Sequence, residues 1–357
     1  MFESFGFETL TPRGASVIFA LILGVAFGVL AERTAFCLRR AVAGDDRRQA
    51  AGVWLMALAV AVVGTQAAVA YELVSFDDHR LVTSSIPVLA LVVGGLVFGA
   101  GMILTRGCIS RLTVLSAGGN LRAVFVLLIF ALTAHSVLKG ALTPLRTALS
   151  ATSVDVGALA DLGAWPGGAW VWTAVIALPA LVIALRSGNG TARLAMAALL
   201  GALVPLGWVG TGFVLMDDFD PIPVESLSFI APWTETLFWS IAATAIEPGF
   251  GTGLIGGVLI GAFIAAVVFG RFEWQSFDSP RQTGRYALGA VLMGFGGVLA
   301  GGCTVGAGLA GVPTLGLSAV IALVAIVAGA WATARVVGVT AGDINAGTGT
   351  GARVPAE

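Results

Sequence analysis

The residues of this 357-residue chain most able to do chemistry are its three cysteines, Cys37, Cys108 and Cys303. Their number is odd and no two are spaced C-x-x-C, so neither a disulfide framework nor a thioredoxin-like couple is indicated. They lack the clustered cysteine and histidine spacing of a zinc site, and neither a metal nor a cofactor is expected. What remains is the free thiol, a weak S–H donor and soft sulfur acceptor. With a reference pKa of about 8.5 it is mostly neutral at pH 7. A thiolate would repel an anion, whereas a neutral thiol can offer a weak contact to a soft, charge-bearing sulfur and then release it. Weak successive stations favour passage over capture. No P-loop, G-x-S-x-G or H-E-x-x-H pattern is present, so no catalytic residue is assigned and ATP hydrolysis is not expected.

A lone cysteine in an apolar helix is ordinarily a small buried hydrophobe. Repetition changes that reading. The segment GGLVFGAGMILTRGC, ending at Cys108, aligns without a gap on GAVLMGFGGVLAGGC, ending at Cys303. The two share Gly94/Gly289, Gly99/Gly294, Gly101/Gly296, Leu104/Leu299 and Gly107/Gly302 as well as the cysteine. A weaker copy upstream sets Gly24, Phe27, Gly28, Thr34, Cys37 and Arg40 against Gly95, Phe98, Gly99, Thr105, Cys108 and Arg111. Its own partner matches Gly24, Thr34 and Phe36 to Gly201, Thr211 and Phe213, with Val214 where the thiol would be. The chain therefore reads as one membrane domain of two halves, about 14–138 and 192–337, each with two helix-to-loop units.

Composition says what kind of element carries those loops. The chain is 57% hydrophobic and 11% charged, with a mean hydropathy of +0.96, whereas soluble domains carry roughly 25% charged residues. With a net charge of −1 there is no basic footprint for nucleic acid, and the partner solvent is lipid. Ten stretches approach the roughly 20 apolar residues a spanning helix needs: 14–31, 51–71, 87–104, 121–138, 169–186, 192–209, 230–247, 252–270, 286–300 and 314–337. No small-residue cleavage site follows the first, which is expected to be retained rather than removed as a signal peptide.

Lysine and arginine accumulate in cytoplasmic loops. Arg33, Arg39, Arg40, Arg47 and Arg48 mark the first loop as inside, and Arg106, Arg111 and Arg122, then Arg186 and Arg193, mark two more. Acidic residues dominate 72–78 and 217–220 instead. Placing Arg271, Arg281 and Arg285 inside as well requires 230–247 to dip in and return. That choice also inverts the second half relative to the first, as transporter repeats require. The expected fold is an all-α polytopic membrane protein of the bacterial inner membrane. It has about nine transmembrane helices, an inverted internal repeat and re-entrant cysteine-bearing loops, with the N-terminus outside and the C-terminus cytoplasmic.

Each later repeat closes its helix in RGC or GGC, followed by a run too short for another crossing. Non-helical backbone at membrane depth must be buried in protein or line a cavity, so the cysteine loops are expected to meet inside. Helix ends converging there would favour an anion. Gly94, Gly99 and Gly101 have the spacing of helix packing, while Gly107 and Gly302 serve either packing or the path. Thr304 follows the third cysteine as a further loop residue. Arg106 could draw an anion inward or simply mark the inside. His135 reads as a packing histidine, and Glu247, before Pro248, as the end of the partial element.

With TAFCLRR, TRGCIS and GGCTVGAGLAGVPTLG in place, the chain resembles the YeeE/YedE family over about Gly24 to Arg335. The resemblance implies an hourglass-shaped inverted-repeat fold in which Cys37, Cys108 and Cys303 hand thiosulfate inward through S–H contacts to sulfur. It also implies a small cytoplasmic sulfurtransferase-like partner. Two other readings stay open: a membrane sulfurtransferase or thiol redox protein working through persulfide or disulfide intermediates, and a transporter for a selenium-related compound.

Overall fold

The computed structural model describes residues 11–338, apart from 78 and 218. The N-terminal glutamates and the aspartates at 78 and 218 lie outside the described residues, as does the tail after 338. Long apolar runs make the helices, and polar caps and prolines set their ends. In α1 (Pro12–Thr34) the Thr11 hydroxyl accepts from Gly14 N at the first turn and Pro12 occupies a position whose N–H would be orphaned anyway. A short α2 (Leu38–Ala43) and then α3 (Arg47–Ala70) follow. Next come α4 (Val88–Leu104), α5 (Ile109–Ala117), the Asn120-capped α6 (Leu121–Lys139) and the short α7 (Thr143–Ser150). The second half runs through α8 (Gly168–Leu185), α9 (Thr191–Val209), α10 (Ile230–Ala242), α11 (Phe250–Val268), the Ser279-capped α12 (Pro280–Leu299) and α13 (Leu317–Val336). Two-residue strands β1 (Ser85–Ile86) and β2 (Val154–Asp155) pair antiparallel in the loops.

Among the described residues nine spans are long and apolar enough to cross a membrane, as expected. Three of them, Pro12–Ala43, Val88–Ala117 and Pro280–Leu309, run on across a cysteine-bearing break. Trp170, Val171, Val175, Leu178 and Val182 stand exposed along α8, a surface that suits hydrocarbon rather than water.

Contacts between loops sort the chain ends onto two faces. On one, the Arg193 guanidinium donates to Thr34 O at 3.0 Å, Arg48 Nε to Arg186 O at 3.0 Å, and Leu121 N to Gln275 O at 2.8 Å. On the other, Ser318 Oγ donates to Leu81 O at 2.7 Å, Leu162 N to Leu315 O at 3.0 Å, and Arg13 to Glu247 O at 3.2 Å. Of the described arginines, all but Arg13, Arg80 and Arg146 belong to the first face. Between them the segment before α10 dives inward. Leu227 and Phe229 are fully buried, and Trp233 Nε1 reaches Thr113 Oγ1 on α5 at 2.9 Å. The chain then returns to Arg13 at Glu247. The helix stops at Ala242, short of the 247 expected from sequence, so Glu247 caps nothing and instead pairs loosely with Arg13 at 3.9 Å.

Glycines report the internal symmetry. The aligned pairs Gly94/Gly289 and Gly101/Gly296 meet crosswise where α4 packs on α12: Gly94 lies against Gly296, and Gly101 against Gly289. A Cβ on Gly101 would stand 2.5 Å from Gly289 O, and one on Gly296 would stand 2.5 Å from Phe98 N. Such exchange, in which each residue touches its partner's counterpart, is the mark of a two-fold relation between antiparallel copies. A second close approach is repeated in kind. Gly24 and Gly28 of α1 press on the α11 backbone around Gly257 and Gly261, and their counterparts Gly95 and Gly99 of α4 press on α13 around Ala322 to Ala330.

Candidate functional site

All three cysteines follow one backbone device. Two residues before each sulfur the chain turns left-handed, at Ala35 (φ 51°), Arg106 (φ 58°) and Gly301 (φ 66°). The N–H groups of Phe36, Gly107 and Gly302 reach back to Ala31 O, Met102 O and Gly297 O, and those of Ala35, Arg106 and Gly301 reach Glu32 O, Ile103 O and Val298 O. This is the paired carbonyl capping that ends a helix in a left-handed residue. Glycine bears that conformation freely, whereas Ala35 and Arg106 each hold it at a cost of about 1–2 kcal/mol. The glycine adjacent to the sulfur is therefore not the turning residue. A Cβ at Gly302 would fall 2.6 Å from Ala307 N, and one at Gly107 would fall 3.1 Å from the Leu112 side chain, so these two glycines answer to space. The fourth copy does not turn this way. Gly210–Val214 continues α9 as a π-helical turn, with Thr211 Oγ1 donating to Glu225 O at 2.7 Å.

Each cysteine then opens the next helical piece: Cys37 precedes α2, Cys108 precedes α5, and Cys303 precedes a π-helical turn, Thr304–Leu309. The sulfurs of Cys37 and Cys108 stand 3.9 Å apart, and Cys108 Sγ lies 3.3 Å from Ser110 Oγ. Cys303 Sγ accepts from Gly306 N at 3.3 Å. All three thiols are free, buried and part of one continuous apolar cluster. Phe229 links its ends. Its backbone neighbours Cys303, while its ring lies 5.3 Å from Phe27, which meets Phe36, beside Cys37, edge-on at 6.2 Å. Two thiols in contact can both touch one incoming sulfur, which a single thiol cannot.

The breaks lie toward opposite faces. Gly306 of the Cys303 turn and Ala310 just after it border a recess of about 370 Å³ on the arginine-poor face, which His79, Arg80, Trp208 and Glu225 also line. Burial, reinforced by the neighbouring Glu235 and opposed by Arg80, lifts the Glu225 carboxyl to about 7. Burial and then Arg80 hold the His79 imidazole down to about 4, so it is neutral at pH 7. Arg106, two residues from Cys108, instead lines a recess of about 460 Å³ on the arginine-rich face, with Arg281, Arg285 and Asp278.

The remaining sequence candidates find ordinary roles. Thr304 is buried at the start of the π-helical turn. Arg111 pairs with buried Glu32 at 3.0 Å, and Arg33 covers the Phe269 ring at 3.8 Å. His135 stacks on Phe238 with ring centroids 5.0 Å apart. Among the described residues no cluster of three metal-ligating side chains occurs. Sequence reasoning missed His79 and Glu225, which are far apart in the chain and share no spacing signal. Arg80 and Phe229 were equally silent.

Nine spans among the described residues, matched helix breaks and buried thiols in facing copies define a polytopic membrane protein of inverted-repeat type. Residues 33–332 match the family described as Sulphur transport, and the chain belongs to it, in keeping with the likeness read from the cysteine loops. Among its relatives are two proteins named thiosulfate transporter TsuA. That of Spirochaeta thermophila is 28% identical over 329 residues, covering 88% of this chain and 97% of the relative. That of Escherichia coli K12 is 26% identical over 344 residues, covering 88% and 93%.

Proposed function

We propose that this chain imports thiosulfate, or a closely related soft sulfur anion, across a bacterial inner membrane. In this reading it is one membrane domain whose halves, 14–138 and 192–337, enclose a relay of neutral thiols. The observation that carries the reading is the Cys37–Cys108 contact of 3.9 Å at two matched helix breaks, with Cys303 at the third break toward the other face. The names of the relatives support the substrate. The anion enters by the recess beside Cys303, passes to the Cys37–Cys108 pair and leaves by the arginine-lined recess. There a small sulfurtransferase-like protein would receive it. No sulfur is left on a thiol, so the chain is a transporter and not an enzyme.

The positive-inside rule makes the arginine-rich face cytoplasmic, with the N-terminus outside and the C-terminus inside. A reporter fused to the C-terminus should be active only if it acts in the cytoplasm; activity restricted to a periplasmic reporter would reverse the orientation.

Glu225 gives the relay a pH dependence of definite sign. Its carboxyl is charged above about 7 and neutral below, and a charged carboxylate in the outer recess opposes an incoming anion. Thiosulfate uptake by proteoliposomes should therefore rise about three- to tenfold as outside pH falls from about 8 to about 6. Glu225→Gln should show the fast rate at both pH values. A wild-type rate that drops on acidification would contradict the assignment.

A further inference from the structure

Arg39 is the unexplained charge of the arginine-rich face. It lies on α2 two residues past Cys37, with only 4% of its surface exposed. Its Nε and Nη2 are buried without a hydrogen-bond acceptor, and among the described residues no carboxylate lies within ion-pair distance of it. Its neighbours differ. Arg40 binds Asp46, Arg111 and Arg271 share Glu32, and Arg193 donates to Thr34 O. Arg39 is two residues from Cys37, whose sulfur touches that of Cys108. It follows the break that carries one sulfur of the pair, as Arg106, which lines the basic recess, precedes the break that carries the other.

A buried guanidinium without a counter-charge is among the costlier features a fold can carry. Nε–H and Nη2–H form one edge of the guanidinium, and that edge matches two oxygens of an oxyanion side by side. Thiosulfate carries a soft terminal sulfur at one end and three oxygens at the other.

We propose that Arg39 is an oxyanion station that grips two oxygens of the substrate while its terminal sulfur rests on the Cys37–Cys108 pair. The site reads both ends of the anion at once, and Arg39 releases it toward the Arg106 recess. This rests on the transport reading above and adds the residue that holds the hard end.

The test uses the purified full chain, with thermal melting in detergent and uptake by proteoliposomes, for wild type, Arg39→Met and Arg39→Lys. Thiosulfate should raise the wild-type melting temperature by about 2–4 °C, and sulfate should raise it less. Arg39→Met removes an uncompensated charge, so it should melt at or above wild type without substrate, lose the thiosulfate shift and transport at least about tenfold more slowly. Arg39→Lys should recover part of both signals. An Arg39→Met protein that keeps the shift and transports within about twofold of wild type overturns the station, as does one that melts lower without substrate yet keeps the shift. If wild type shows the Arg39-dependent shift but moves no thiosulfate, the transport reading fails and the station stands.

Discussion

Cys108→Ala is expected to fold, insert and reach the membrane at wild-type level, yet to lose thiosulfate uptake by at least about 30-fold. The Cβ remains and Cys108 stands just before α5 without capping it through its side chain, so neither the left-handed turn at Arg106 nor the pairing of α4 with α12 depends on the sulfur. What goes is one of the two sulfurs in contact there, which leaves Cys37 Sγ and Ser110 Oγ as the polar atoms at that point. An anion that loses one of its partners at such a buried point loses about 2 kcal/mol, and each 1.36 kcal/mol is tenfold in rate. Cys303→Ala should fail for the same reason from the other face. Cys108→Ser keeps size and a stronger donor but not softness, so it should recover little. Growth on thiosulfate as sole sulfur source, with membrane level checked by immunoblot, reads all three. Full growth of both alanine variants would leave the thiols without a role in passage.

Much of the fold was legible because a bilayer sets helix length. Among the described residues all the long apolar runs but 230–247 became spans, since no other structure satisfies the backbone in lipid, and the three that lead to a cysteine run on past their expected ends to Ala43, Ala117 and Leu309. Residues 230–247 were the ambiguous case, and charge placement rather than hydropathy identified them as partial. The shortening to Ala242 was not legible, because nothing in TAIEPGF marks where the last helical bond falls. Glycine packing was foreseen at Gly94 and Gly101. Their crosswise meeting with Gly296 and Gly289 follows only once the copies are known to face each other.

The site was less visible. RGC and GGC drew attention to the glycine touching the sulfur, while the left-handed residue is the one before it, where Ala35 and Arg106 carry no sequence signal for that conformation. Arg39 looked like one more inside marker, because a missing acceptor is a fact about space and not about spacing. Glu225 and Arg80 meet in a recess across more of the chain than any local pattern can span.

Selectivity is the second large effect and bears on the chemistry itself. Sulfate has the charge and the oxygens of thiosulfate, so Arg80 and the arginine-rich recess would attract both. In the proposed relay only thiosulfate offers a soft sulfur to Cys303 and then to the Cys37–Cys108 pair. Water strips from a hard oxyanion at greater cost than weak thiol contacts return. If the difference reaches about 3 kcal/mol, discrimination is on the order of 100-fold. The direct measurement is uptake of labelled thiosulfate into proteoliposomes with a hundredfold excess of unlabelled thiosulfate or of sulfate. A soft-sulfur relay predicts that thiosulfate abolishes the signal and sulfate leaves most of it; equal suppression by the two anions would make this a general anion pore.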